Sequence, residues 1–205
     1  MQGGIQCCRI IHIRPAFLLI LGILSLAQGV GATPLYVDRY LLPTGDAPNP
    51  DETLQERADR ISRLTDYIAS TYRVGEDRAV AIVTEVVYFA EKYELSLELV
   101  LAIIAVESSY RAKAVSHAGA RGLMQIMPWA HPEKVQAVGG IQALFHPKRN
   151  IATGCWILLE YLDRSDGDLN EALLRYNGSL SDPTERYANK VLRYLRKLRN
   201  IASVG

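Results

Sequence analysis

Three observations predict an all-α domain. Beyond about residue 52, apolar residues recur at helical spacing with charged residues between them. Helix-start signals, namely Ser96, Pro147, Asp168 and Asp182-Pro183, stand before several of these stretches. No alternating strand pattern of five or more residues interrupts them. With 205 residues, 49% of them hydrophobic, the chain suffices for one domain with a real core and lacks the polar bias of a disordered polymer.

Taken in order, Arg9, His12 and Arg14 precede an apolar run from Ala16 to Ala27, and small residues follow in Gly-Val-Gly-Ala-Thr-Pro. This layout predicts a signal peptide over 1–32, cleaved after Ala32 or Ala27, with an uncleaved inner-membrane anchor as the alternative. The run is shorter than the roughly 20 residues that span a bilayer. Removal of this leader would discard Cys7 and Cys8 and leave Cys155, which sits in a helical pattern and reads as a small core residue. Residues 33–51 are rich in Pro, Gly, Asn and Asp and read as a linker.

Leu54, Ala58, Ile61, Leu64 and Ile68 mark a first helix, the core of an N-terminal helical extension over 52–79. Val80, Val83, Val87 and Ala90 mark a second, which opens the main domain, expected over 80–205. Ser96 caps a third whose interior, Leu-Glu-Leu-Val-Leu-Ala-Ile-Ile-Ala-Val-Glu-Ser, is apolar on nearly every side, as suits a helix at the centre of a domain. Gly119, Gly122 and Pro128 punctuate 108–128, which reads as a loop-rich cleft wall. Helices are then expected from Pro147 to about Asp163, from Asp168, and from Asp182-Pro183 to about Leu198.

Lys and Arg number 23 against 22 Asp and Glu, so the net charge of +1 gives no overall field of the kind that draws a chain to nucleic acid. The informative charge is single. Glu107 follows eight apolar residues, Leu99 to Val106. A carboxyl at that place meets low dielectric, which disfavours its anion and keeps a proton available near neutral pH, as general-acid cleavage of a glycosidic bond requires. On position alone it is also a helix-end glutamate pointing at water.

The surroundings decide between these readings. The run from Glu107 to Pro128, ESSYRAKAVSHAGARGLMQIMP, resembles the signature of the soluble lytic transglycosylase (SLT) catalytic domain, a family related to goose-type lysozymes. HPKRNIATGCWILLEYL, EALLRYNGS and Tyr187-Ala-x-x-Val follow in the order of that family's later blocks, so the resemblance covers roughly residues 80 to 198. It implies a lysozyme-like, mainly α domain that cleaves the β-1,4 bond between N-acetylmuramic acid and N-acetylglucosamine in peptidoglycan. Glu107 would be the single general acid and base, the C6 hydroxyl of the muramic acid would attack C1, and a 1,6-anhydro sugar would form without water. No Asp or Glu occurs between Ser108 and Pro132, which is compatible with a mechanism lacking a second carboxylate.

The same resemblance assigns substrate contacts to Ser116, Met124, Gln125, Tyr176, Asn177 and Tyr187. Each has a structural reading beside it: Ser116 as a turn residue, Gln125 as an amide holding the loop, and Tyr176 and Tyr187 as core tyrosines with a polar handle. The chain departs from the family pattern at Ala112, where Pro is usual, at His146, where Asp is usual, and in Gly-Ser-Leu-Ser-Asp after Asn177. His117 and His131 lack neighbours at ligand spacing, so no metal and no cofactor is expected.

The implied partners are peptidoglycan glycan strands, reached in the periplasm or after secretion. A lysozyme-like hydrolase on the same fold is the first alternative. A non-catalytic glycan-binding component of a secretion or conjugation apparatus is the second, with the helix at 52–73 as its docking element. Arg186, Lys190, Arg193, Arg196, Lys197 and Arg199 surround an apolar stripe near the C-terminus, either as a weak contact to membrane or anionic wall polymer or as a solvated outer face.

Overall fold

The computed structural model describes residues 52–203. The expected leader at 1–32 and linker at 33–51 lie outside the described residues. Among the described residues, seven α-helices succeed one another: α1 (Leu54–Tyr72), α2 (Glu76–Lys92), α3 (Leu97–Ser108), α4 (Pro132–Ala137), α5 (Pro147–Arg164), α6 (Leu169–Asn177) and α7 (Arg186–Ser203). A short 3₁₀ helix, Ile141–Phe145, lies between α4 and α5. The described residues contain no β-strand beyond isolated bridges, and no helix among them is long and apolar enough to cross a membrane.

The starts of α1, α3, α5 and α6 are explained by the residues at their first turns. The Thr53 hydroxyl accepts from the Glu56 amide while the Glu56 carboxylate accepts from the Thr53 amide, a reciprocal box that satisfies two otherwise orphaned donors of α1. Ser96 Oγ accepts from the Leu99 amide at 3.2 Å and opens α3. Asp168 does the same for Glu171 at 3.0 Å and opens α6. α5 begins at Pro147, where a missing N–H costs nothing in the first turn.

α3 is the axis of the domain. Every residue from Leu97 to Ala105 is buried, and α2 and α7 pack against it while α5 lies on α2 and α6. α1 packs on α2 and α7, and its Leu64 and Ile68 are fully buried in the same apolar core as Leu101 and Ile104. Arg60 joins Glu52 and Glu98, each at 2.8 Å, and Arg57 pairs with Glu91. α2 runs through residue 79, so the N-terminal extension and the later helices share one core. Cys155 is buried there as a free thiol.

The final helix departs from its expected bounds. α7 begins at Arg186 and runs to Ser203 instead of opening at Asp182-Pro183 and ending near Leu198. The Asp182 carboxylate accepts from the Thr184 amide at 3.0 Å and from its hydroxyl at 2.6 Å, so it closes a turn of its own instead of capping a helix. Glu185 then adopts φ +49°, which delays the first helical residue.

Candidate active site

Immediately after α3 the chain reverses. Ser109 and Tyr110 both adopt left-handed backbone, with φ of 52° and 62°, at a cost of about 1–2 kcal/mol each. Tertiary contacts hold them there. The buried Tyr110 donates its hydroxyl to the Leu101 carbonyl at 2.9 Å, and its ring meets that of Tyr72 edge-on at 4.7 Å. Residues 111–128 then fold into a small knot. Arg121 and Ile126 exchange backbone hydrogen bonds of 2.9 and 3.0 Å, and the Gly122 amide donates to Ala114 at 2.9 Å.

One side chain of α5 pins this knot. Asn150 has no exposed surface. Its Oδ1 accepts from the Met124 amide at 2.7 Å, and its Nδ2 donates to the carbonyls of Arg121 and Leu144 at 2.9 Å each. Gly122, at φ +79°, comes so close that a Cβ would collide with the Asn150 amide and the Leu144 carbonyl. One turn further along α5, Gly154 leaves the space occupied by the Met124 side chain. Sequence reasoning placed neither Asn150 nor Gly154 at the site. The available signal was an amide and a glycine in the apolar stripe of an otherwise ordinary amphipathic helix.

Glu107 lies in the last turn of α3, and α6 and α7 bring a tyrosine each to its surroundings. Tyr187 of α7 donates its hydroxyl to Glu107 Oε1 at 2.6 Å. Burial pushes the Glu107 carboxyl up to about 7, against the opposing pull of that hydrogen bond and of nearby Lys190. Tyr176 and Tyr187 are themselves held well above the usual phenol range by burial and by the Glu107 charge, so both remain neutral donors wherever Glu107 titrates. With Oε1 engaged by Tyr187, Oε2 is the oxygen left to carry and deliver a proton.

The remaining candidates divide. Tyr176 feels the Glu107 charge and donates its hydroxyl to the Met124 carbonyl at 2.9 Å, tying α6 to the knot beside the acid. Met124 itself is 0% exposed. Its side chain packs on Gly154 and its carbonyl accepts from Tyr176, so it is a core group that carries the loop. Gln125 has φ +48° and donates through Nε2 to Gly122 at 2.9 Å and Ala114 at 3.3 Å, so its amide holds the loop. Ser116 Oγ accepts from the Ala120 amide at 3.0 Å, which makes it a turn residue whose hydroxyl proton stays available. Asn177 is exposed at the end of α6. Glu107, Tyr176 and Tyr187 thus form one group, and the hydrogen bonds of Ser116 and Gln125 run within the adjoining loop.

Chemically, a half-buried carboxyl that titrates near neutrality, oriented by a phenol and set beside an irregular loop, is equipped to give up and retake one proton at a reacting oxygen. Among the described residues, no group of three His, Cys, Asp or Glu side chains is placed to hold a metal ion.

Comparison with known proteins shows the family. The family model described as the transglycosylase SLT domain matches residues 87–191. The transglycosylase of Enterobacteria phage PRD1 is 36% identical over 112 residues, covering 52% of this chain and 40% of the phage protein. Membrane-bound lytic murein transglycosylase C of Actinobacillus pleuropneumoniae is 33% identical over 135 residues, covering 60% of this chain and 36% of the relative. The chain therefore spans well under half the length of these two relatives. Among solved structures, the 70 kDa soluble lytic transglycosylase of Escherichia coli superposes with a TM-score of 0.55 at 21% identity, over 72% of this chain and 30% of that one. The lytic transglycosylase Slt of Pseudomonas aeruginosa gives 0.52 at 24% identity, over 57% and 24%. Both share the helical fold.

Proposed function

The chain belongs to the transglycosylase SLT domain family, and on that premise we propose that it is an exported murein lytic transglycosylase that cleaves the bond between N-acetylmuramic acid and N-acetylglucosamine through Glu107. The observation that carries this reading is the Glu107 carboxyl itself, raised to about 7 by burial and bonded on one oxygen by Tyr187.

Protonated Glu107 delivers its proton from Oε2 to the glycosidic oxygen as the C1–O bond breaks. The resulting carboxylate is stabilised by the Tyr187 hydrogen bond and by Lys190, the two interactions that oppose its burial. It then takes the proton of the C6 hydroxyl of the muramic acid as that oxygen closes on C1, forming the 1,6-anhydro ring and restoring the acid. The pairing of acid and base roles in one residue needs a pKa near the working pH, because the same group must release and retake a proton. Ser116 Oγ–H and Asn177 serve as substrate contacts in this scheme. Tyr176 acts through the Met124 carbonyl to hold the loop in place.

The expected site of action is the periplasm or the cell exterior, in keeping with the membrane-bound murein transglycosylase among the relatives. Local opening of the wall would suit a secretion or conjugation machine, with α1 as the docking element. The cation-rich outer face of α7 would supply a weak contact to anionic wall polymer or membrane.

Mass spectrometry of the muropeptides released from sacculi tests the reading, with Glu107→Gln as control. Products ending in 1,6-anhydro-muramic acid, one water lighter than reducing ends, are expected. Reducing ends would make the protein a hydrolase on the same acid, and no release dependent on Glu107 would leave a glycan-binding role.

A further inference from the structure

Helix α1 lies wholly outside residues 87–191, the stretch that matches the family, yet its last residue reaches the catalytic group by two routes. The first runs to the turn after Glu107. Tyr110, three residues beyond the acid, has a left-handed φ of 62°, and Tyr72 meets its buried ring edge-on at 4.7 Å. A tyrosine persists in that backbone region only where its surroundings over-determine it, and the Tyr72 ring is part of that constraint. The second route runs to α7. The half-buried Tyr72 hydroxyl meets those of Tyr194 on α7 and Tyr67 on α1, and burial together with these neighbours holds its phenol above the ordinary range. Tyr194 stands seven residues after Tyr187, two helical turns along the same face. Two further links fasten α1 to this helix: Arg63 donates to the Ala202 carbonyl at 2.5 Å, and the Lys197 ammonium lies 5.0 Å over the Tyr67 ring.

We propose that Tyr72 is a positioning residue for the reaction at Glu107: its ring fixes the turn that leaves α3 and its hydroxyl fixes α7, so that the Tyr187 phenol and the Glu107 carboxyl stay in register. α7 packs against α3, and its buried residues, Ala188, Val191, Leu195, Leu198 and Ala202, are all apolar. Apolar contact is non-directional and permits small slides. The 2.6 Å bond from Tyr187 to Glu107 tolerates only a few tenths of an ångström. A side chain that grips both carriers of that bond supplies the missing directionality, and it does so without touching substrate. This inference rests on the proposed reading of Glu107 as the acid of a glycan-cleaving centre.

Tyr72→Phe keeps the ring on Tyr110 and removes only the hydroxyl, so circular dichroism should be unchanged. In muropeptide release, kcat should fall about threefold with KM in place, and the alkaline limb of the pH profile should move to higher pH, because a looser Tyr187 bond favours the carboxylate less. In a Tyr187→Phe background the same substitution should change neither, since the bond it serves is gone. Leu64→Val, which trims the buried face of the same helix, should lower the melting temperature and leave the pH profile where it is. Carbon-13 NMR titration of the Glu107 carboxyl, with and without Tyr72→Phe, reads the same upward shift in the absence of turnover. That shift in a protein that releases no muropeptides would keep the positioning role and remove the enzyme. An unmoved titration, or losses that simply add in the Tyr72→Phe, Tyr187→Phe protein, would remove the positioning role and keep the enzyme.

Discussion

The helix that carries Glu107 and the loop after it adjoin in sequence, yet they are held by opposite kinds of force. Along α3 every residue from Leu97 to Ala105 is buried, so the acid is fixed by apolar packing spread over many contacts, no one of which is decisive. The loop has left-handed backbone at Ser109, Tyr110 and Gln125 and is held by a few directional bonds, three of them from Asn150. Packing degrades gradually when one methylene is lost. A buried amide that serves three partners fails at once, because its removal orphans several polar groups in low dielectric.

The largest expected effect falls on the helix side and leaves its packing alone. Glu107→Gln keeps the shape and still accepts from Tyr187, so a loss of at least about a thousandfold in muropeptide release, with unchanged circular dichroism, is the outcome that separates chemistry from scaffold. On the loop side, Asn150→Ala should cost about 3–4 kcal/mol in urea unfolding, whereas Ile104→Val in α3 should cost only about 1 kcal/mol. Equal costs would erase the distinction between the two regions.

Glu107 also sets a pH dependence on stability. Its folded-state pKa of about 7 lies above the unfolded value of 4.5, so between those values the folded state binds more protons, and its stability falls as pH rises through that window. Glu107→Gln should therefore be more stable than the parent at pH 8, by at most about 3 kcal/mol, and indistinguishable from it near pH 4. Thermal melts at the two pH values check this, and an equal difference at both would mean that burial does not disfavour the anion.

The smaller expected effect on activity is at Tyr187. Its hydrogen bond favours the carboxylate, so Tyr187→Phe should move the alkaline limb of the activity profile, expected near pH 7 from the Glu107 value, to higher pH, and lower kcat/KM by about tenfold through looser orientation of the acid. A profile that stays in place would show that the phenol only packs. A rise in kcat would show that the bond holds back the proton.

Much of this was legible beforehand, for reasons visible in particular residues. The starts of α3 and α6 trace to Ser96 and Asp168, because a cap acts on amides two or three residues away, and that of α5 to Pro147, whose missing N–H is tolerated in a first turn. The long apolar run before Glu107 announced a desolvated carboxyl. α4 and the 3₁₀ helix, of six and five residues, are too short to express a period. The beginning of α7 was misplaced because Asp182 has the side chain of a helix cap, and only the local backbone decides whether it caps a helix or closes a turn.

By itself, then, the sequence determined an all-α domain and the helix on which Glu107 lies, since these depend on spacing within one segment, while the choice of Glu107 as the proposed acid rested on the likeness of the run that follows it to the SLT signature. The tertiary structure decided that Tyr187, eighty residues from Glu107, bonds to its carboxyl, that Met124 turns inward on Gly154, and that Asn150 pins the loop. These depend on how α3, α5, α6 and α7 pack against one another, and a hydrogen bond tolerates only a few tenths of an ångström. Periodicity says which face of a helix is apolar; it does not say which residue of a distant helix will meet it.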